Sequence, residues 1–174
     1  RNDGPPFYYY RALCKRFGER NVEHLAPTTH EEVAKFGEFD LYLWVDWGED
    51  ALTGALPYEP FSMEGYENTV YITSDTHLGF DYRLKKAREF DHVFCNQKRA
   101  VTEFLENGVE ASWLPHAVDL QAYNPEPAGI KKYDVGFVGY VSNRKRAEAL
   151  DVVFKRFPNF WYGQRLFEEA SMIY

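Results

Sequence analysis

Residues 70–119, VYITSDTHLGFDYRLKKAREFDHVFCNQKRAVTEFLENGVEASWLPHAVD, carry three short apolar runs separated by two amphipathic ones. Thr69–Thr73 (TVYIT), His92–Cys95 and Ala111–Leu114 are β-branched or aromatic and short, as strands are. Phe80–Glu89 and Lys98–Asn107 alternate apolar and charged residues at helical spacing, and Gly108 stops the second. Strands that alternate with helices predict a mostly parallel sheet covered on both faces.

The pattern extends both ways. Upstream, Asp40–Asp46 (DLYLWVD) reads as a buried strand and Thr29–Phe36 as a short helix with Thr29 as N-cap and Glu32 three residues on. Asn21–Leu25 reads as a short strand, and Phe7–Phe17 as an amphipathic helix begun near Pro5 and Pro6 and closed by Gly18. Trp47–Asn68 has Gly, Pro and little periodicity, so a long loop is expected, of the length that often serves function. Downstream, Asn124–Gly129 (NPEPAG) reads as a linker. Tyr133–Gly139 is then a strand, Asn143–Phe157 a helix, Asn159–Tyr162 a strand, and Gln164 onward a helix. The expected organisation is a Rossmann-like α/β domain over 1–123, a linker over 124–131 and the beginning of a second such domain over 132–174. The chain opens on Arg1 rather than Met and closes inside a helical pattern, so it reads as a piece of a longer chain.

Composition bounds the function. The chain has 174 residues, 45% of them hydrophobic, which is enough for a real core. Its 27 Asp and Glu against 20 Lys and Arg give a net charge of −7, a poor balance for a chain-wide nucleic-acid binder. No uncharged run approaches the roughly 20 residues that cross a bilayer. Cys14 and Cys95 form no CxxC, which points to a reducing, cytoplasmic setting and away from a disulfide scaffold or zinc ribbon. Aromatic residues make up 18% of the chain, either as core or as stacking surface for sugar or base rings.

Three segments carry candidate chemistry. Ser74-Asp75-Thr76-His77 follows a strand directly, where parallel sheets bind their ligands. Asp75 and His77 could act as base or metal ligand, and Asp75 could instead cap the next helix. The D-x-H pair resembles the opening motif of calcineurin-like metallophosphoesterases, but the G-D-x-x-D and G-N-H that follow it there are missing. Gly139–Arg146 runs from a strand into a helix, where free N–H groups and the cations Arg144, Lys145 and Arg146 favour a phosphate. It has neither the Walker ending nor the dinucleotide fingerprint. Asp46, Trp47, Glu49 and Asp50 end another strand and suit acceptor hydroxyl binding or general base work, or else form a solvated acidic loop. Arg83, Lys85, Lys86 and Arg88 read as a solvated helix face.

Together, D-T-H after a strand, F-D-H-V-F-C-N-Q, G-V-E-A and W-L-P-H-A-V-D resemble the N-terminal domain of bacterial GT-B glycosyltransferases. The group most like them is the CgeB-like (spore maturation protein-like) one, related to glycosyltransferase family 4. KKYDVGFVGYVSNRKRAEAL resembles the first strand–loop–helix of that fold's C-terminal domain, and FEEASMIY the helix before its donor site. The fold's first strand would precede Arg1, and the later acidic residues that hold the sugar nucleotide have no counterpart here. The resemblance implies a nucleotide-sugar donor, an acceptor of unstated kind, no metal or other cofactor, and by analogy retention of configuration. It assigns His77 and Asp75 to catalysis, Gly139, Arg144, Lys145 and Arg146 to the donor, and Asp46 and Trp47 to the acceptor. A non-catalytic carbohydrate- or nucleotide-binding module or scaffold is the alternative, ahead of a metallophosphoesterase.

Overall fold

The computed structural model describes residues 5–25, 29–46, 61–118, 133–139, 141 and 143–163. The chain divides into two compact units, Arg1–Ala117 and Val118–Tyr174.

The first unit is mixed α/β. Helix α1 (Pro5–Phe17) leads through a 3₁₀ turn (Glu19–Asn21) toward α2 (His30–Ala34). Then come β1 (Tyr42–Val45), β2 (Thr69–Thr73), α3 (Phe80–Ala87), β3 (His92–Cys95), α4 (Lys98–Glu106) and β4 (Ala111–Trp113). The four strands form one parallel sheet in the order β1-β2-β3-β4, an arrangement that suits a Rossmann-like α/β fold. Thr29 caps α2 through the expected box: its hydroxyl accepts from the Glu32 N–H and the Glu32 carboxylate accepts from the Thr29 N–H, both at 3.3 Å.

Register places Trp44, Tyr71, Val93 and Ala111 side by side, and Thr73, Cys95 and Trp113 one step on. Every buried strand residue among those described lies on this face: Thr69, Tyr71, Thr73, Val93, Cys95 and Ala111. Ala87 of α3 and Ala100 and Phe104 of α4 complete its core, with Tyr71 stacked on Phe90 at 5.2 Å and Phe80 against Phe104 at 5.0 Å. The opposite face, which includes Val70, Ile72 and Phe94, is only half-buried. Two-sided burial is therefore not reached among the described residues, and the strands show the alternation of a sheet with one dry face.

Two further expectations change. Val22 is extended (φ −135°, ψ 123°), but residues 22–25 pair with no strand among the described residues, so the strand expected at Asn21–Leu25 is absent. The Arg83–Arg88 segment is not a solvated face. Lys85 and Arg88 are exposed, but Arg83 and Lys86 are buried, because their spacing of three puts them on the face of α3 that also carries Ala87. Lys86 Nζ donates to the Phe61 carbonyl and to Glu89 Oε2 (2.8 Å), and lies 5.1 Å from the centre of the Trp44 ring. Glu89 Oε2 also accepts from the Met63 N–H at 2.9 Å. This pair, buried at Lys86 and half-buried at Glu89, thus anchors the segment entering β2, with Phe61 and Met63 in the core. Of the loop expected at Trp47–Asn68, residues 61–68 hold no helix or strand, while residues 47–60, the linker at 124–129 and the helix from 164 onward lie outside the described residues.

In the second unit, β5 (Val135–Val138), α5 (Arg144–Arg156) and β6 (Phe160–Gly163) form a strand–helix–strand unit whose two strands pair in parallel. Phe137 stacks on Tyr162 at 5.9 Å, and Phe154 meets Phe160 edge-on at 5.8 Å.

At the amino end of the first sheet, Asp91 Oδ2 accepts from the Thr69 N–H (2.8 Å) and hydroxyl (3.1 Å), and Thr69 Oγ1 accepts from the Asp91 N–H (3.0 Å). These bonds hold the Asp91 carboxyl below its ordinary pKa. A depressed folded-state pKa stabilises the fold above the unfolded value, about 4 for Asp, and that contribution is lost as pH falls through the folded value. Asp91→Asn is expected to lower stability at neutral pH and to flatten its fall on acidification. Urea unfolding at a series of pH values from about 6 down to about 2.5 checks this, and an unchanged acid limb would refute it.

Candidate functional site

A parallel sheet aligns its strand exits on one edge, and here that edge collects polar side chains from four exits. β1 ends at Asp46. β2 runs out into Ser74-Asp75-Thr76-His77, β3 into Asn96-Gln97, and β4 through Trp113 to His116.

The exit of β3 is the hub. The buried Thr76 hydroxyl donates to Gln97 Oε1, which turns the carboxamide nitrogen toward His77; Gln97 Nε2 lies 3.2 Å from His77 Nδ1. With the amide assigned in this way, Gln97 donates to Nδ1 and the neutral ring carries its proton on Nε2. His77 itself is exposed. On the other side of the hub, Asn96 Nδ2 meets His116 Nε2, and the Asn96 carbonyl accepts the Trp113 indole N–H at 3.1 Å. Asn96 Oδ1 is buried without a hydrogen-bond partner. Cys95 Sγ accepts the Gln97 N–H at 3.4 Å, and burial pushes its thiol pKa up, so it serves as packing rather than as a nucleophile.

Asp75 stands at the cap position of the 3₁₀ turn Thr76–Leu78, but its side chain makes no capping bond. The capping role is therefore not realised. Its backbone is left-handed (φ 50°, ψ 36°), a conformation that Asp tolerates better than most side chains, and Asp75 is exposed. Among the described residues, no three His, Cys, Asp or Glu side chains gather as metal ligands, so the D-x-H pair has no such companions there.

Asp46 sits lower in the edge. Its Oδ2 accepts from Arg83 Nε (2.8 Å), the Tyr71 hydroxyl (3.1 Å) and the Thr73 hydroxyl (3.1 Å). The Arg83 side chain is fully buried and that of Asp46 is 11% exposed. Burial, and then the nearby Asp46 carboxylate, push the Tyr71 phenol pKa upward, so Tyr71 stays a donor. Oδ2 of Asp46 is thus occupied by structural donors. Trp47 lies outside the described residues.

The second unit holds the remaining expected residues. Gly139 follows β5 at φ 156°, and a Cβ there would lie 3.2 Å from the Phe137 ring, so a larger residue would press on that ring. Asn143 caps α5 by accepting the Arg146 N–H at 2.9 Å. Arg144 Nε pairs with Glu148 Oε1 at 2.6 Å along the helix surface, and Arg144, Lys145 and Arg146 are all exposed. A cavity of about 310 Å³ beside α5 is lined by apolar residues such as Leu150, Phe154 and Phe160, together with Asp151.

Gln97, Asn96, Trp113 and His116 were not singled out as site residues by sequence reasoning. The available signal was positional, since each lies at or just after the end of a strand in the same parallel sheet. No protein-family model, curated protein or solved structure matches the chain. Among the described residues, no helix is long and apolar enough to cross a membrane.

Removing one partner of a buried ion pair strands the other charge and costs about 3–5 kcal/mol. Arg83→Met and Asp46→Asn are each expected to fall in or near that range. Arg83→Met combined with Asp46→Leu should lose less than the sum of the single changes. Urea denaturation of the variants, analysed as a double-mutant cycle, gives the coupling; additive losses would mean that the pair is not coupled.

Proposed function

We propose that the chain belongs to a GT-B glycosyltransferase of the CgeB-like group and transfers a sugar from a nucleotide-sugar donor to an acceptor without a metal. The first unit is then the acceptor-side domain and the second the start of the donor-binding domain. The supporting observation is the Thr76–Gln97–His77 relay, which holds an exposed imidazole at the carboxyl edge of a parallel sheet. The order and spacing of the motifs over residues 70–119 support the same reading.

In this reading His77 Nε2–H donates to a substrate oxygen as charge shifts during transfer, and Asp75 beside it orients the acceptor. Gly139 leaves the backbone open to the donor diphosphate, and Arg144, Lys145 and Arg146 supply positive charge for the leaving group. Asp46 contributes from beneath, as part of the frame that shapes the edge.

A specific observation favours the second reading, a non-catalytic sugar- or nucleotide-binding module. Asn143 already takes one free N–H of α5, and Arg144 is already paired with Glu148, so part of the phosphate-binding potential is satisfied within the helix.

The first test is thermal stabilisation by UDP-, GDP- and dTDP-sugars, with and without EDTA. A ligand that binds only the folded state raises the melting temperature. The transferase reading expects one nucleotide to do so in EDTA, and expects His77→Ala to lower transfer or donor hydrolysis by about a hundredfold or more while the thermal shift persists. Stabilisation with turnover unaffected by His77→Ala would remove His77 from catalysis. No stabilisation by any nucleotide sugar, with a shift by manganese alone, would overturn the reading in favour of a phosphoesterase.

A further inference from the structure

Trp113 is 47% exposed at the carboxyl end of the edge strand β4. Its ring is nonetheless held in place, because the indole N–H is bound to the Asn96 carbonyl at 3.1 Å. Among the described residues no aromatic ring stacks on it; the Lys98 ammonium lies 4.1 Å from its centre. The same Asn96 whose carbonyl takes the indole N–H meets the exposed His116 imidazole through its side-chain Nδ2, while its Oδ1 is buried and unpartnered.

These observations have a common chemical sense. An exposed indole fixed by its own N–H is a flat apolar surface whose orientation needs no ordering when a ligand arrives. Beside it the groups are an amide, an imidazole and an ammonium, which offer donors and acceptors to neutral hydroxyls. A nucleobase is served better by two aromatic faces or by an arginine plane, and neither flanks this ring among the described residues.

We propose that Trp113, with Asn96, His116 and Lys98, is a binding platform for a single pyranose ring. The apolar face of the sugar lies on the indole face that Lys98 does not cover, and its hydroxyls bond to the polar groups of Asn96, His116 and Lys98 that reach the surface. This deepens the reading of the same sheet edge as a transferase site and rests on it for biological meaning: the acceptor would be a carbohydrate, seated across the Asn96–Gln97 hub from His77. Binding itself does not depend on transfer activity.

The test is an NMR titration that follows the Trp113 indole N–H, with the methyl glycosides of glucose, galactose, mannose and N-acetylglucosamine as probes, and uridine and inorganic phosphate as comparisons. Saturable movement of that resonance by at least one glycoside is expected. Trp113→Ala should weaken the binding about tenfold or more, whereas Trp113→Phe, which keeps a stacking ring, should retain most of it. Movement with uridine or phosphate but with no glycoside overturns the proposal, as does glycoside binding that Trp113→Ala leaves intact. If either variant misfolds, the wild-type resonance still decides between ring contact and none. Stabilisation by a nucleotide sugar with no glycoside at Trp113 would sink the platform and spare the transferase; glycoside binding without nucleotide-sugar stabilisation would do the reverse.

Discussion

The ion pair between Arg83 and Asp46 is the constraint on which the rest of the first unit depends. It joins α3 to the exit of β1 through a guanidinium removed from water, and the same carboxylate oxygen takes the Tyr71 and Thr73 hydroxyls from β2. Charges in such a place are expensive unless they are paired and hydrogen-bonded, so the geometry of three elements is set together. Arg83 Nη2 remains buried without a hydrogen-bond partner, which makes exact hydrogen bonding at Nε more consequential. The loop that carries Asp75, Thr76 and His77 spans the interval between β2 and α3, so both of its ends are held by elements that share this pair.

Positioning then passes to β3. Thr73 and Cys95 are register partners, and the next residues on β3 diverge: Asn96 serves the β4 side and Gln97 the β2 side. Successive side chains of an extended segment point in opposite directions, which is how two adjacent amides come to organise two separate histidines. Thr76 is buried because it must reach Gln97, whereas its neighbours Asp75 and His77 remain at the surface. A left-handed residue at Asp75 supplies the turn that separates them.

Much of the fold was legible because it rests on periodicity. The four parallel strands, α3, α4 and the Thr29–Glu32 capping box are local patterns, and local patterns can be read from one chain. The burial of Arg83 and Lys86 was not legible, since charge argues for solvent and only the tertiary partners Asp46, Glu89 and Phe61 make burial tolerable. Val22 illustrates the converse: its backbone is extended as a strand would be, yet without a pairing partner an extended backbone is not a strand. At the site, strand-end logic located Asp46, Asp75 and His77, but it could not tell an acid buried under an arginine from one open to ligand.

That distinction changes what the edge can do. Oδ2 of Asp46 already accepts from three protein donors, so the lone pairs a ligand donor would use on that oxygen are taken. With that oxygen taken up by the frame, the other polar side chains of the edge are the exposed Asp75 carboxylate, the His77 and His116 imidazoles, the Asn96 and Gln97 carboxamides and the Lys98 ammonium, beside the exposed Trp113 indole. Such a set offers both donors and acceptors to a ligand. It suits holding hydroxyl-rich or oxygen-bearing ligands in a fixed orientation and supplying hydrogen bonds as charge shifts among their oxygens.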